Sequence, residues 1–171
     1  IIVLVSLSSQ VFAQKLDYEK EYNVGSKTFI TSKKIGKDAL IIQNTKNLNR
    51  EDNYRSYRLS TARFDRQKLA DVVLKIFTRD RIEEIQKTNI HGAASLWLNL
   101  HLERSGEVCE VAFQVSKEYG LSLKEFSDLE DSIKKEIVLS DFLNNQTDDY
   151  EHFAISISLN LPKILNGRFA K

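Results

Sequence analysis

Ser95-Leu96-Trp97-Leu98-Asn99-Leu100-His101-Leu102-Glu103 is followed, after Arg104-Ser105-Gly106-Glu107, by Val108-Cys109-Glu110-Val111-Ala112-Phe113-Gln114-Val115-Ser116. Successive side chains of a strand point to opposite faces. Leu96, Leu98, Leu100 and Leu102 therefore share one side of the first segment, and Trp97, Asn99, His101 and Glu103 share the other. In the second segment Cys109, Val111, Phe113 and Val115 share a side. The intervening Ser105-Gly106 supplies the turn, so the two segments form an antiparallel hairpin with one wholly apolar face.

Downstream, Ser122-Leu123-Lys124-Glu125 is a reciprocal helix-capping pattern, and Phe126, Leu129, Ile133 and Ile137 behind it lay an apolar stripe over residues 122–139. After the polar run 144–149, the residues Phe153, Ile155, Ile157, Leu159 and Leu161 alternate with Ala154, Ser156, Ser158 and Asn160. This is a third strand of the same half-buried sheet, ended by Pro162. A helix between two strands of one sheet covers the face they share.

Upstream, Asp65 caps a helix over residues 66–77, with Leu69, Val72, Val73 and Ile76 at helical spacing. Residues 79–86 either continue it or form a second short helix. Residues 18–24 and 27–32 flank an Asn23-Val24-Gly25-Ser26 turn, and 39–43 follow a break at 35–38, giving two or three short antiparallel strands. The polar stretch 44–63 reads as a loop with one strand near 54–59. The fold class expected is α+β: an antiparallel sheet of hairpin, helix and strand with helices on one face, plus short N-terminal β-strands.

The chain has 171 residues, 42% hydrophobic and 29% charged, which is the balance of one folded domain. Its 25 basic and 24 acidic side chains leave a net charge of +1, so no global field would hold it on nucleic acid or an anionic membrane. The apolar residues 1–12 are too short for a permanent membrane span, and Val11-Phe12-Ala13 fits a signal peptidase, with cleavage before Gln14. We therefore expect residues 1–13 to be a signal peptide, begun before Ile1, and residues 14–171 to be a single exported α+β domain, periplasmic or extracellular, without a transmembrane segment. Cys109 is the lone cysteine, so no internal disulfide forms, and its place on the apolar side of its strand makes it a core residue.

His91, His101 and His152 lack the spacing that fixes a metal, and the carboxylates sit at adjacent positions that point apart. No phosphate loop, nucleophile elbow or kinase signature occurs, so neither an enzyme nor a cofactor is expected. His101 and Cys109 fall on opposite faces, which disfavours a thiol and base pair. Two groups could bind. One is the polar strand face with Trp97, Asn99, His101 and Glu103, where the indole is expected to be covered by the Asp65 helix or the N-terminal strands. The other is the basic and aromatic stretch with Arg55, Tyr57 and Arg58, largely balanced by Glu51, Asp52 and Asp65.

Ile90-His91-Gly92 leading into 96–102, then Ser105-Gly106-Glu107-Val108 with Val111 and Phe113, then Leu121-Ser122 opening a helix and 153–161 closing the unit, resemble the C-terminal domain of TonB over about 65–161. The Ala13-Gln14 junction and the hairpin also resemble small uncharacterised exported proteins of Bacteroides-type bacteria. The chain lacks the membrane anchor and proline-rich spacer of TonB, so energy transduction is not implied. The resemblance implies a non-catalytic envelope module that takes a protein or peptide partner by strand addition to a sheet edge. The alternative is a small-molecule or glycan-binding protein or enzyme that uses the polar face around Trp97 and His101.

Overall fold

The computed structural model describes residues 16–34, 39–48, 54–56, 65–88, 95–116, 120–139 and 152–168, without the side chains of Tyr54–Ser56, Thr88, Ser95 and His152. The expected leader and the Ile90-His91-Gly92 segment lie outside the described residues. The elements in chain order are β1 (Glu21–Val24), β2 (Lys27–Lys33), β3 (Ala39–Asn44), β4 (Tyr54–Ser56), α1 (Arg66–Ile76), α2 (Arg79–Thr88), β5 (Ser95–Glu103), β6 (Val108–Ser116), α3 (Leu123–Glu136), β7 (His152–Asn160) and α4 (Leu161–Leu165).

All strands join one seven-stranded sheet of order β1-β2-β3-β6-β5-β7-β4. It is antiparallel except at its last edge, where β4 runs parallel to β7. This is the α+β architecture expected, with β5 in the interior. Leu96, Leu98, Leu100 and Leu102 of β5 are fully buried and join the apolar residues of α1, α2, α3 and α4 in one core. Each such leucine contributes about 1.5–3 kcal/mol by leaving water. The helices therefore share one face of the sheet.

Local chemistry explains where the elements stop. Gly25, at φ 58°, lets β1 turn directly into β2. The Asp65 carboxylate accepts from Lys68 N at 2.9 Å and starts α1. The chain then breaks at Phe77, which is fully buried, and α2 is a separate helix. Ser122 and Glu125 close the capping box of α3. That helix ends at Glu136, earlier than its apolar stripe implies. Val138 forms a bridge with Glu107, and Leu139 N donates to Gly106 O at 2.9 Å, so the chain leaves the helix to pair with the β5–β6 turn. Asn160 likewise caps α4, a short helix with no counterpart in the sequence reading.

Two expectations are corrected. The register of β5 against β6 shifts between His101 and Leu102, so that Leu102 faces Val108. This bulge takes Cys109 out of the alternation. It is half-buried, in no disulfide, with Sγ donating to His101 O at 3.3 Å, while Val108 takes the core position. Trp97 is not covered by α1, which lies on the other face, nor by β1–β3, which extend the same sheet.

α3 is pinned to the sheet by a buried charge. Glu130 is wholly buried; its Oε2 accepts from Lys27 Nζ at 3.0 Å and Asn44 Nδ2 at 3.3 Å, and its Oε1 from Lys134 Nζ at 2.7 Å. Lys27 Nζ also reaches Asp131 at 2.6 Å. Burial alone would lower the Lys27 pKa, but the hydrogen bonds to Asp131 and Glu130 together outweigh it and raise the pKa.

Candidate functional site

β5 puts Trp97, Asn99, His101 and Glu103 in one file along the sheet face that no described helix covers. Directly opposed residues share a face, so the pairings extend that file sideways into two rows. Trp97 lies between Gln114 and Ser158, with Ile41 beyond Gln114 and Ser32 beyond Ile41. Asn99 lies between Ala112 and Ser156, with Gln43 and then Ile30 further out.

Trp97 is 42% exposed, the only aromatic among the exposed large hydrophobic residues of the described chain. Gln114 beside it is buried, and its Oε1 accepts from Lys34 Nζ. Asn99 Oδ1 accepts from Ser156 Oγ at 2.6 Å, across the β5–β7 pair. His101 is half-buried, with Nδ1 3.1 Å from Oε2 of Glu110 on β6. Glu110 is itself buried, and its Oε1 accepts from Leu48 N at 2.6 Å. Glu103 ends the file, half-buried, at the hairpin turn.

The structure thus brings together four of the residues expected to bind and adds Glu110, which sequence reading passed over. The signal was present in outline: Glu110 sits at an outward position of its own strand, but its pairing with His101 depends on a register set by the bulge. Arg55 does not join this group. It belongs to β4, and β7 separates that strand from β5, a gap of about 10 Å at ordinary strand spacing. Tyr57 and Arg58 lie outside the described residues.

Chemically, the arrangement offers an aromatic platform, amides and hydroxyls. Cys109 Sγ addresses the His101 carbonyl. Among the described residues no group of three or more His, Cys, Asp or Glu side chains could hold a metal ion. A cleft of about 370 Å³ lies elsewhere, between the end of α1, α2 and the start of α3. Both of its cations are committed: Arg81 donates to Glu125 at 2.6 Å, to Glu84 at 2.8 Å and to Gly120 O, and Lys124 to Asp128 at 2.6 Å. That cleft is a joint between helices.

β7 offers an edge. Its outer side pairs with β4 only over His152–Ala154, and no other described strand lies against residues 155–160. For strand addition at this edge, the first part is already taken by the protein's own β4. No helix among the described residues is long and apolar enough to cross a membrane.

No protein-family model and no curated protein matches this chain. Among solved structures it is similar to a DUF5043 family protein from Bacteroides uniformis, with a TM-score of 0.65 over 87% of this chain and 88% of that one, at 18% sequence identity. The two chains share a fold, and the Bacteroides-type resemblance noted in the sequence has a structural counterpart in that protein.

Proposed function

We propose that this chain is an exported, non-catalytic interaction module that engages its partner through the uncovered sheet face centred on Trp97. One observation carries the reading: an indole 42% exposed near the start of an interior strand, on a face that the described helices leave uncovered. An aromatic so placed provides contact area at little conformational cost, and such residues dominate binding surfaces. The TonB C-terminal resemblance, carried by the sequence of the hairpin, helix and strand, supports an interaction role over catalysis. Export rests on the leader-like residues 1–13, and a mature chain starting at Gln14 is its expected signature in N-terminal sequencing.

The test uses the lone tryptophan. Acrylamide should quench Trp97 emission strongly, and Trp97→Ala should leave the urea midpoint nearly unchanged while weakening partner binding on the order of tenfold or more. An indole shielded from acrylamide would defeat the proposal. A second reading, strand addition along residues 155–160 of β7, is favoured by the short reach of β4. It predicts binding that survives Trp97→Ala and slows amide exchange in residues 155–160.

A further inference from the structure

We propose that the partner of this face is an uncharged glycan, stacked on Trp97; the proposal rests on the reading of that face as the binding surface. The first observation is charge. Across β2, β3, β6, β5 and β7 the two rows through Trp97 and Asn99 contain ten paired positions, every one neutral: serine, glutamine, asparagine, alanine, isoleucine and tryptophan; the first charge, Glu21, stands opposite Ile30 on the edge strand β1. Of the ten, Trp97 and Ser156 are exposed, Gln114 is buried and the other seven are half-buried, and partly open sheet positions in a chain with 29% charged residues would ordinarily include some charges. The nearest charges are engaged: Glu110 by His101 and Leu48 N, and Lys34 by Gln114. An anionic or cationic ligand would find no counter-charge at these ten positions.

The second observation is backbone occupancy. β5 pairs with β6 on one side and with β7 on the other along its length. Its main-chain groups are spent within the sheet, so this face recognises a ligand through side chains alone. An extended peptide draws its affinity from main-chain ladders, which an interior strand does not supply. A pyranose needs none. Its C–H face packs on an indole, and its rim of hydroxyls bonds amides and hydroxyls. With Asn99 Oδ1 accepting from Ser156 and Gln114 Oε1 from Lys34, the amide nitrogens of Asn99 and Gln114 are the donors these side chains keep for sugar oxygens.

The test titrates the full chain with neutral hexaoses of gluco, manno and galacto configuration and with polygalacturonate as the anionic control, reading Trp97 emission. The expected result is a saturable shift with at least one neutral hexaose and none with polygalacturonate. By calorimetry, Trp97→Ala should weaken that binding on the order of tenfold, and Asn99→Ala should weaken it by a smaller factor, both with unchanged circular dichroism. If no neutral hexaose shifts an emission that acrylamide still quenches, the glycan assignment is wrong while the face reading stands. If acrylamide cannot reach Trp97, both are wrong. Preference for polygalacturonate, or for peptides whose binding Trp97→Ala abolishes, also overturns the glycan assignment.

Discussion

His101 Nδ1 lies 3.1 Å from Glu110 Oε2, and Glu110 is only 6% exposed. Leu48 N satisfies one oxygen of this deep carboxylate, and the other stands at ion-pair distance from the imidazole, outside hydrogen-bond geometry. Replacing His101 by Leu leaves one oxygen buried without its neighbour, so His101→Leu should cost about 1–3 kcal/mol. Adding Glu110→Gln, which removes the charge and keeps an acceptor for Leu48 N, should recover part of that loss. Urea midpoints of the two variants decide the matter, and an unchanged midpoint for His101→Leu would mean that the pair carries no stability.

The Lys27 contacts with Glu130 and Asp131 give stability an alkaline limit. The pKa of Lys27 in the folded chain is raised above its ordinary 10.5, so the folded state holds this proton more tightly than the unfolded state. Its contribution is complete below pH 10.5 and fades as pH climbs through the raised value. Denaturation midpoints taken between pH 9 and pH 12 should fall in the wild type. The fall should be shallower in Lys27→Met, which should already be weaker at pH 8 because Glu130 has lost a partner.

Gly106 and Gly25 both hold positive φ, at 87° and 58°, yet substitutions there should differ in severity. A Cβ on Gly25 meets open space, so Gly25→Ala bears only the conformational penalty, about 1 kcal/mol. On Gly106 the added carbon would strike the carbonyl oxygen of Leu139, which is backbone and cannot rotate away. Gly106→Ala should therefore lose about 2–4 kcal/mol in all, the conformational cost plus that of overpacking. Equal melting temperatures for the two variants would contradict this account.

Glu125 serves two helices at once. Its carboxylate accepts from Ser122 N at 2.6 Å to cap α3 and from Arg81 on α2 at 2.6 Å. Ser122→Ala removes one capping bond and should cost about 1 kcal/mol. Glu125→Ala breaks both the cap and the α2–α3 link, and thermal unfolding should show the larger loss. Were Ser122→Ala the worse of the two, the link to Arg81 would be ornamental.

Local periodicity made the β5–β6 hairpin, α1, α3 and β7 readable, because a two-residue or 3.6-residue repeat is written into a few neighbouring positions. It also placed Trp97, Asn99, His101 and Glu103 on one face. What it could not supply was adjacency. Nothing near Ala39 says that it will pair with Ser116, or near Tyr54 that it will pair with His152. The same blindness hid the partnership of Glu110 with His101 and put Cys109 in the core, since a bulge is a relation between two strands and leaves no mark on either one alone. The exposure of Trp97 depended on which side the helices chose, and that is a property of the whole sheet.

The strand order also governs when the molecule can be finished. β3 and β4 flank the unit formed by β6, β5 and β7, one on either side, so the earliest-made part of the chain brackets the latest-made part. During synthesis β3 emerges with only β2 to pair with, and β4 emerges with no partner strand. β3 waits for β6, and β4 waits for β7, nearly the last segment to appear. Closure is thus deferred until β7 has emerged, and such distant pairings are slow to form. A fragment cut at residue 65 would keep the hairpin, α3 and β7 but expose two raw margins, and should clump through them.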